Sequence, residues 1–171
     1  MTGQNRRRFL QSSLAAGATF AISGTKSSGN ILGANDRLRV AVAGLHGRGR
    51  SHYGAYAKMK DVEVAYVVAP DSRQFARAIN DVKNISGTAP KPIKDVREVL
   101  DDKDLNIVSI ATPNHWHSLM SIWACQAGKD VYVEKPASHN ILEGKTAVAA
   151  ARKKNRMVQM GTQIRSSTFL K

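Results

Sequence analysis

The sequence predicts an α/β fold, a doubly wound parallel sheet with helices on both faces, and three observations predict it. From about residue 38 onward, short apolar and β-branched runs alternate with segments of helical periodicity, and parallel strands need such crossover connections. The first apolar run breaks into Gly44, Gly47 and Gly49, spaced G-x-x-G-x-G, a strand-to-helix turn at which backbone N–H groups can meet a nucleotide's phosphates. Loops bearing polar or conformationally special residues follow several later runs, and a parallel sheet gathers such loops at the carboxyl ends of its strands.

In order, Leu38 to Ala43 reads as the first strand and Arg48 to Met59 as a helix opened by the glycine turn. Val62 to Val68 is a second strand, rich in β-branched residues. Pro70-Asp71-Ser72 supplies a turn and a helix start, with Phe75, Ile79 and Val82 at helical spacing after it. Pro92 to Lys94 is a short edge strand, and Val96, Val99 and Leu100 mark a brief helix. Leu105 to Ala111 is a strand, mostly apolar as one covered on both faces should be. Trp116, Leu119, Met120, Trp123 and Ala127 form a helical stripe closed by Gly128. Asp130 to Val133 is strand-like and runs into Glu134-Lys135-Pro136. Ile141, Gly144, Val148 and Ala151 mark one more helix, and Arg156 to Met160 a final strand.

The 171 residues suit one well-buried domain, expected over residues 35–171. Of the 26 basic residues, Arg6, Arg7, Arg8 and Lys26 lie in an N-terminal stretch without acids; the remaining 22 face 13 acidic residues. That surplus favours anionic partners. Nucleic acid is not the expected one, because the basic residues are dispersed and no helix-turn-helix, zinc or aromatic RNA-binding signature accompanies them. Cys125 is the only cysteine, so no intrachain disulfide can form, and its setting matches the buried side of a helix. No metal is expected either: His115 and His117 lack a third ligand nearby in sequence.

Residues 1–34 read as an address and linker. Arg6, Arg7, Phe9 and Leu10 resemble the twin-arginine export signal, followed by a diluted apolar stretch from Leu10 to Ile22. That stretch is too short and polar for a stable membrane span, which takes about 20 apolar residues. The implied partner is the export machinery and the implied location periplasmic or otherwise exported, cytoplasmic if the leader does not function; Ala18 and Ala34 both offer a cleavage context.

With Gly44-Leu-His-Gly-Arg-Gly, Ala111-Thr-Pro-Asn-His-Trp-His117 and Val133-Glu-Lys-Pro136 assembled, the chain resembles the N-terminal half of the Gfo/Idh/MocA family over about Arg37 to Arg165. The resemblance implies a Rossmann domain of an NAD(P)-dependent oxidoreductase acting on sugar-like or cyclitol-like alcohols, with a second, substrate-binding domain that this chain stops before. A homo-oligomer is an open arrangement. A second reading of the same residues is a truncated or non-catalytic dinucleotide-binding module.

The resemblance places Gly44, His46, Gly47, Arg48 and Gly49 under the cofactor pyrophosphate, although an imidazole at His46 should crowd a turn that usually has glycine there; a solvent-facing His46 is the other reading. Thr112, Pro113, Asn114 and His115 match the loop beside ribose and nicotinamide. Lys135, with Glu134 beside it, stands at the substrate, where an ammonium can orient a hydroxyl and stabilise developing negative charge. Ala69 stands where an acid commonly holds the adenosine ribose. Asp71 can substitute for that acid, or Ser72 and Arg73 can receive the phosphate of NADP, so the cofactor is NAD or NADP, with Asp71 opposing the latter. His117 reads as a helix start; His52 and His139 have no claim beyond surface or helix-end positions.

Overall fold

Residues 37–166 are described by the computed structural model; the leader expected over residues 1–34 lies outside them. Six strands form one parallel sheet in the order β3-β2-β1-β4-β5-β6. They are β1 (Leu38–Ala43), β2 (Val62–Val68), β3 (Lys91–Ile93), β4 (Ile107–Ile110), β5 (Asp130–Glu134) and β6 (Val158–Gly161). The helices between them are α1 (Gly47–Ala57), α2 (Phe75–Ser86), α3 (Arg97–Leu100), α4 (His117–Gln126) and α5 (Ile141–Lys154), with single 3₁₀ turns at Ser72–Gln74, Asn114–Trp116 and Gln163–Ser166. The expected doubly wound sheet is present. Its direction of growth reverses between β1 and β4, which are hydrogen-bonded neighbours, and such a reversal opens a crevice at the strand ends.

Strand β1 lies at the centre and shows why the fold closes. Its side chains alternate between faces, so Val40 and Val42 join Tyr53 of α1 and Val82 of α2 on one side. Ala41 and Ala43 join Val99 of α3 and Ala124 and Cys125 of α4 on the other. Burying each valine contributes about 1.5–3 kcal/mol. The short β3 carries Pro92 at the sheet edge, where a missing N–H costs little.

Two expectations shift. The strand expected over Leu105 to Ala111 spans Ile107–Ile110, with main-chain bonds to β1 continuing from Asn106 N to the Arg39 oxygen and from Ala111 N to the Ala43 oxygen. The apolar stripe is not the most buried side of α4: Trp116 precedes the helix, Leu119 is exposed, and His117, Ser118, Ser121, Ala124 and Cys125 are the buried residues. Small and hydrogen-bonded groups pack there, while Met120 and Trp123, partly buried at the edge of the core, line a cavity with Trp116. In α5 only Ala151 is buried, while Ile141 and Val148 stand exposed. No described helix is long and apolar enough to cross a membrane.

Candidate functional site

The glycine turn is shaped by close approach. Gly44 has φ +85, and a Cβ there would lie 2.4 Å from the Ala111 carbonyl oxygen. A Cβ on Gly49 would lie 1.7 Å from the Gly44 carbonyl oxygen, so α1 can pack onto the turn only with glycine at that position. The result is a cradle floor free of side chains, ending at the start of an 11-residue helix, whose first N–H groups have no partner within the helix. Of the two readings of His46 the structure shows the solvent-facing one: it adopts an ordinary extended conformation (φ −86, ψ 166) as the residue before α1 and is exposed, so it does not crowd the turn.

One cavity of about 840 Å³ runs along the carboxyl ends of the strands, within the roughly 300–1,000 Å³ typical of ligand sites. It brings together Gly44, His46, Gly47 and Arg48 after β1, Thr112, Pro113 and Asn114 after β4, and Glu134 and Lys135 at the end of β5. The floor beside β2 is Val68, Ala69 and Pro70. Gly49 lies beneath the turn rather than on the cavity wall, and His115 is exposed with its ring 5.8 Å from that of Trp116. Asp71 and Arg73 line a neighbouring cavity, and Ser72 lines neither.

Glu134 is the hub of the β5 end. Its Oε1 accepts from Arg48 Nε at 3.1 Å and Nη2 at 3.0 Å, and lies 3.0 Å from His52 Nε2. Gln163 donates to its Oε2 at 3.1 Å. Burial alone would push this carboxyl up, but hydrogen bonds from His52 and Arg48 outweigh burial and hold it below the usual carboxylate range. The Arg48 guanidinium is therefore committed to Glu134 rather than aimed at a phosphate, leaving its main chain at the helix start.

His52 corrects the sequence reading. It is 6% exposed, with Nδ1 2.9 Å from Ser109 Oγ on β4, and so ties α1 to β4 and β5. A sign of this was available: Gly49, His52, Tyr53 and Ala57 fall at helical spacing, and these are the four buried residues of α1. The partner Glu134, however, lies 82 positions away.

His117 starts α4 as expected and does more. Its Nδ1 lies 2.7 Å from the Pro136 carbonyl oxygen and its Nε2 2.8 Å from that of Thr112. Both ring nitrogens thus lie within hydrogen-bond distance of a main-chain oxygen. The imidazole pins the Thr112 loop to the Lys135-Pro136 loop, whose peptide bond is cis. Among the described residues no cluster of three or more His, Cys, Asp or Glu side chains could hold a metal ion.

The family model described as an oxidoreductase family with an NAD-binding Rossmann fold, Gfo/Idh/MocA, matches residues 38–162. A glycosyl hydrolase family 109 protein of a Shewanella species is 28% identical over 84% of this chain and 36% of its own length. Levoglucosan dehydrogenase of Pseudarthrobacter phenanthrenivorans is 31% identical over 69% of this chain and 31% of its own. Among solved structures, myo-inositol 2-dehydrogenase from Lactobacillus plantarum is 26% identical, with a TM-score of 0.68 over 78% of this chain and 38% of that one. The chain thus spans about a third of the length of these curated relatives. It belongs to the Gfo/Idh/MocA oxidoreductase family.

Proposed function

We propose that this family member binds a nicotinamide adenine dinucleotide along the carboxyl edge of its sheet, and that in the complete protein Lys135 acts on the hydroxyl of a sugar-like or cyclitol-like alcohol. The observation that carries the reading is the single cavity shared by the glycine turn, the Thr112–Asn114 loop and Lys135. The bare cradle at Gly44 and Gly49 fits a pyrophosphate, which needs main chain at close range and a helix N-terminus beside it. When bound, the dinucleotide accepts a hydride from the alcohol carbon or returns one to a carbonyl carbon. Lys135 would hold the substrate oxygen by hydrogen bonding and stabilise negative charge developing on it. Glu134, ionised and fully engaged, fixes the strand end that carries Lys135; His117 fixes the next peptide.

NADH or NADPH added to the intact protein is expected to raise its melting temperature; no shift with either contradicts the reading. Lys135→Ala is expected to leave dinucleotide affinity within about twofold and to lower turnover about 100-fold or more. Unchanged turnover removes Lys135 from the chemistry.

Export by the twin-arginine route is part of the same proposal, supported by Arg6, Arg7, Phe9 and Leu10. Residues 1–34 fused to a reporter are expected to carry it out of the cytoplasm, and Arg6→Lys with Arg7→Lys to stop it. An exported enzyme of this kind keeps its cofactor bound and recycles it in place; cofactor lost on simple dialysis would count against that.

A further inference from the structure

We propose that the cavity at the end of β2 is a phosphate subsite, and that the dinucleotide this chain selects carries a 2′-phosphate on its adenosine ribose. The inference deepens the dinucleotide reading above and rests on it.

The first ground is what β2 lacks. A dinucleotide domain that prefers the free ribose sets a carboxylate at the end of its second strand, where it holds both hydroxyls. Here that position is Ala69, 2% exposed, its N–H bonded to the Ile93 carbonyl oxygen at 3.1 Å. A methyl group offers a ribose nothing to bond.

The second ground is what lies beside it. A cavity of about 400 Å³ adjoins the main one and shares Leu45, His46, Gly47 and Gln74 with it. Its walls carry three guanidinium groups, Arg50, Arg73 and Arg77, against one carboxylate, Asp71. A second carboxylate, Asp81, stands behind two of them: Arg50 Nε lies 3.3 Å from its Oδ2 and Arg77 Nε 4.0 Å. Tyr53 donates its hydroxyl to the same oxygen at 2.9 Å. Three cations thus share two anions, which leaves a positive surplus. Asp81 faces Arg50 and Arg77 at Nε, and guanidinium groups favour phosphate in a paired geometry.

The third ground answers the objection from Asp71. Its carboxylate accepts from Arg73 N at 3.0 Å, Nε at 2.9 Å and Nη2 at 2.9 Å. These bonds hold its carboxyl down to about 2. The charge that would repel a phosphate is already compensated, and a ribose hydroxyl could use this carboxylate only by displacing Arg73. The loop at the end of β2 is built as an arginine presented by an aspartate.

Calorimetric titration of the intact protein, freed of nucleotide, with NADP⁺ and NAD⁺ tests this. NADP⁺ is expected to bind at least tenfold more tightly, with the margin narrowing as salt is raised. Arg73→Ala alters a side chain that is 90% exposed, so the free protein should melt unchanged. That variant is expected to lose about tenfold in NADP⁺ affinity while NAD⁺ affinity holds or rises, because Asp71 is released. Equal affinities, a preference for NAD⁺, or an Arg73→Ala variant that weakens both nucleotides alike overturns the subsite and leaves the dinucleotide reading standing. Binding of neither nucleotide overturns that reading, and the subsite with it.

Discussion

At the end of β2 a carboxylate meets a guanidinium in water, whereas at the end of β5 a carboxylate meets an imidazole inside the protein. Asp71 and Arg73 pair with the arginine 90% exposed; Glu134 and His52 pair at 5% and 6% side-chain exposure. Solvent screens the first pair and competes for it, so it holds little folding energy and is free to exchange one anion for another. The second pair has no water to fall back on, so its geometry is tied to the stability of the sheet. One end of the cavity is thus suited to choosing a ligand, and the other to holding Lys135 still. Between them runs the glycine turn, where the constraint is steric rather than electrostatic.

Substitutions that disturb each part differently sharpen this contrast. Gly49→Ala should have the largest effect, since its Cβ would sit 1.7 Å from the Gly44 carbonyl oxygen and must push α1 off the turn. A loss of about 3 kcal/mol or more in urea unfolding is expected, and a near-neutral result would mean that the helix and turn are not packed as described. Glu134→Ala leaves the buried His52 without its partner and should cost about 3 kcal/mol. Asp71→Ala should leave the unfolding midpoint within experimental error. Similar losses at the two sites would erase the distinction between the ends of the cavity.

A smaller effect is read from pH. Glu134 has a carboxyl lowered in the folded state, so its contribution to stability is complete above the unfolded value near ~4.3. It is lost as pH falls through the lower folded value, because the unfolded chain then takes up the proton first. Glu134→Gln should flatten the fall in stability between about pH 5 and pH 3; a curve as steep as that of the unaltered protein would place the acid sensitivity elsewhere.

Much of the fold was legible because local pattern and tertiary role agree. Val62–Val68 is a strand in both views, since its β-branched residues suit a sheet covered on both faces, and Gly128 ends α4 at φ 78, the conformation expected of a glycine stop. The orientation of α4 was not legible. Periodicity marks an apolar stripe but does not say whether sheet or cavity receives it, and here Ser118 and Ser121 take the buried side because their hydroxyls reach the Ala137 and His117 carbonyl oxygens. The loops of the site could be placed by counting strands. Their internal wiring could not, because His52 and Glu134 meet across 82 residues and Arg48 turns to that same carboxylate rather than outward. The ion pair at Asp71 and Arg73 is two residues apart, yet the sequence alone leaves open whether the acid faces a ligand or its neighbour.

The central claim is that one dinucleotide lies along the whole carboxyl edge, from the glycine turn to Lys135. Amide chemical-shift mapping of the ¹⁵N-labelled protein during titration with NADPH and with NADH tests it most directly. The largest shifts are predicted at Gly47, Arg48, Thr112, Asn114 and Lys135, with Arg73 added for NADPH alone. Shifts absent from these residues, or gathered at a different face such as the exposed side of α5, would contradict it.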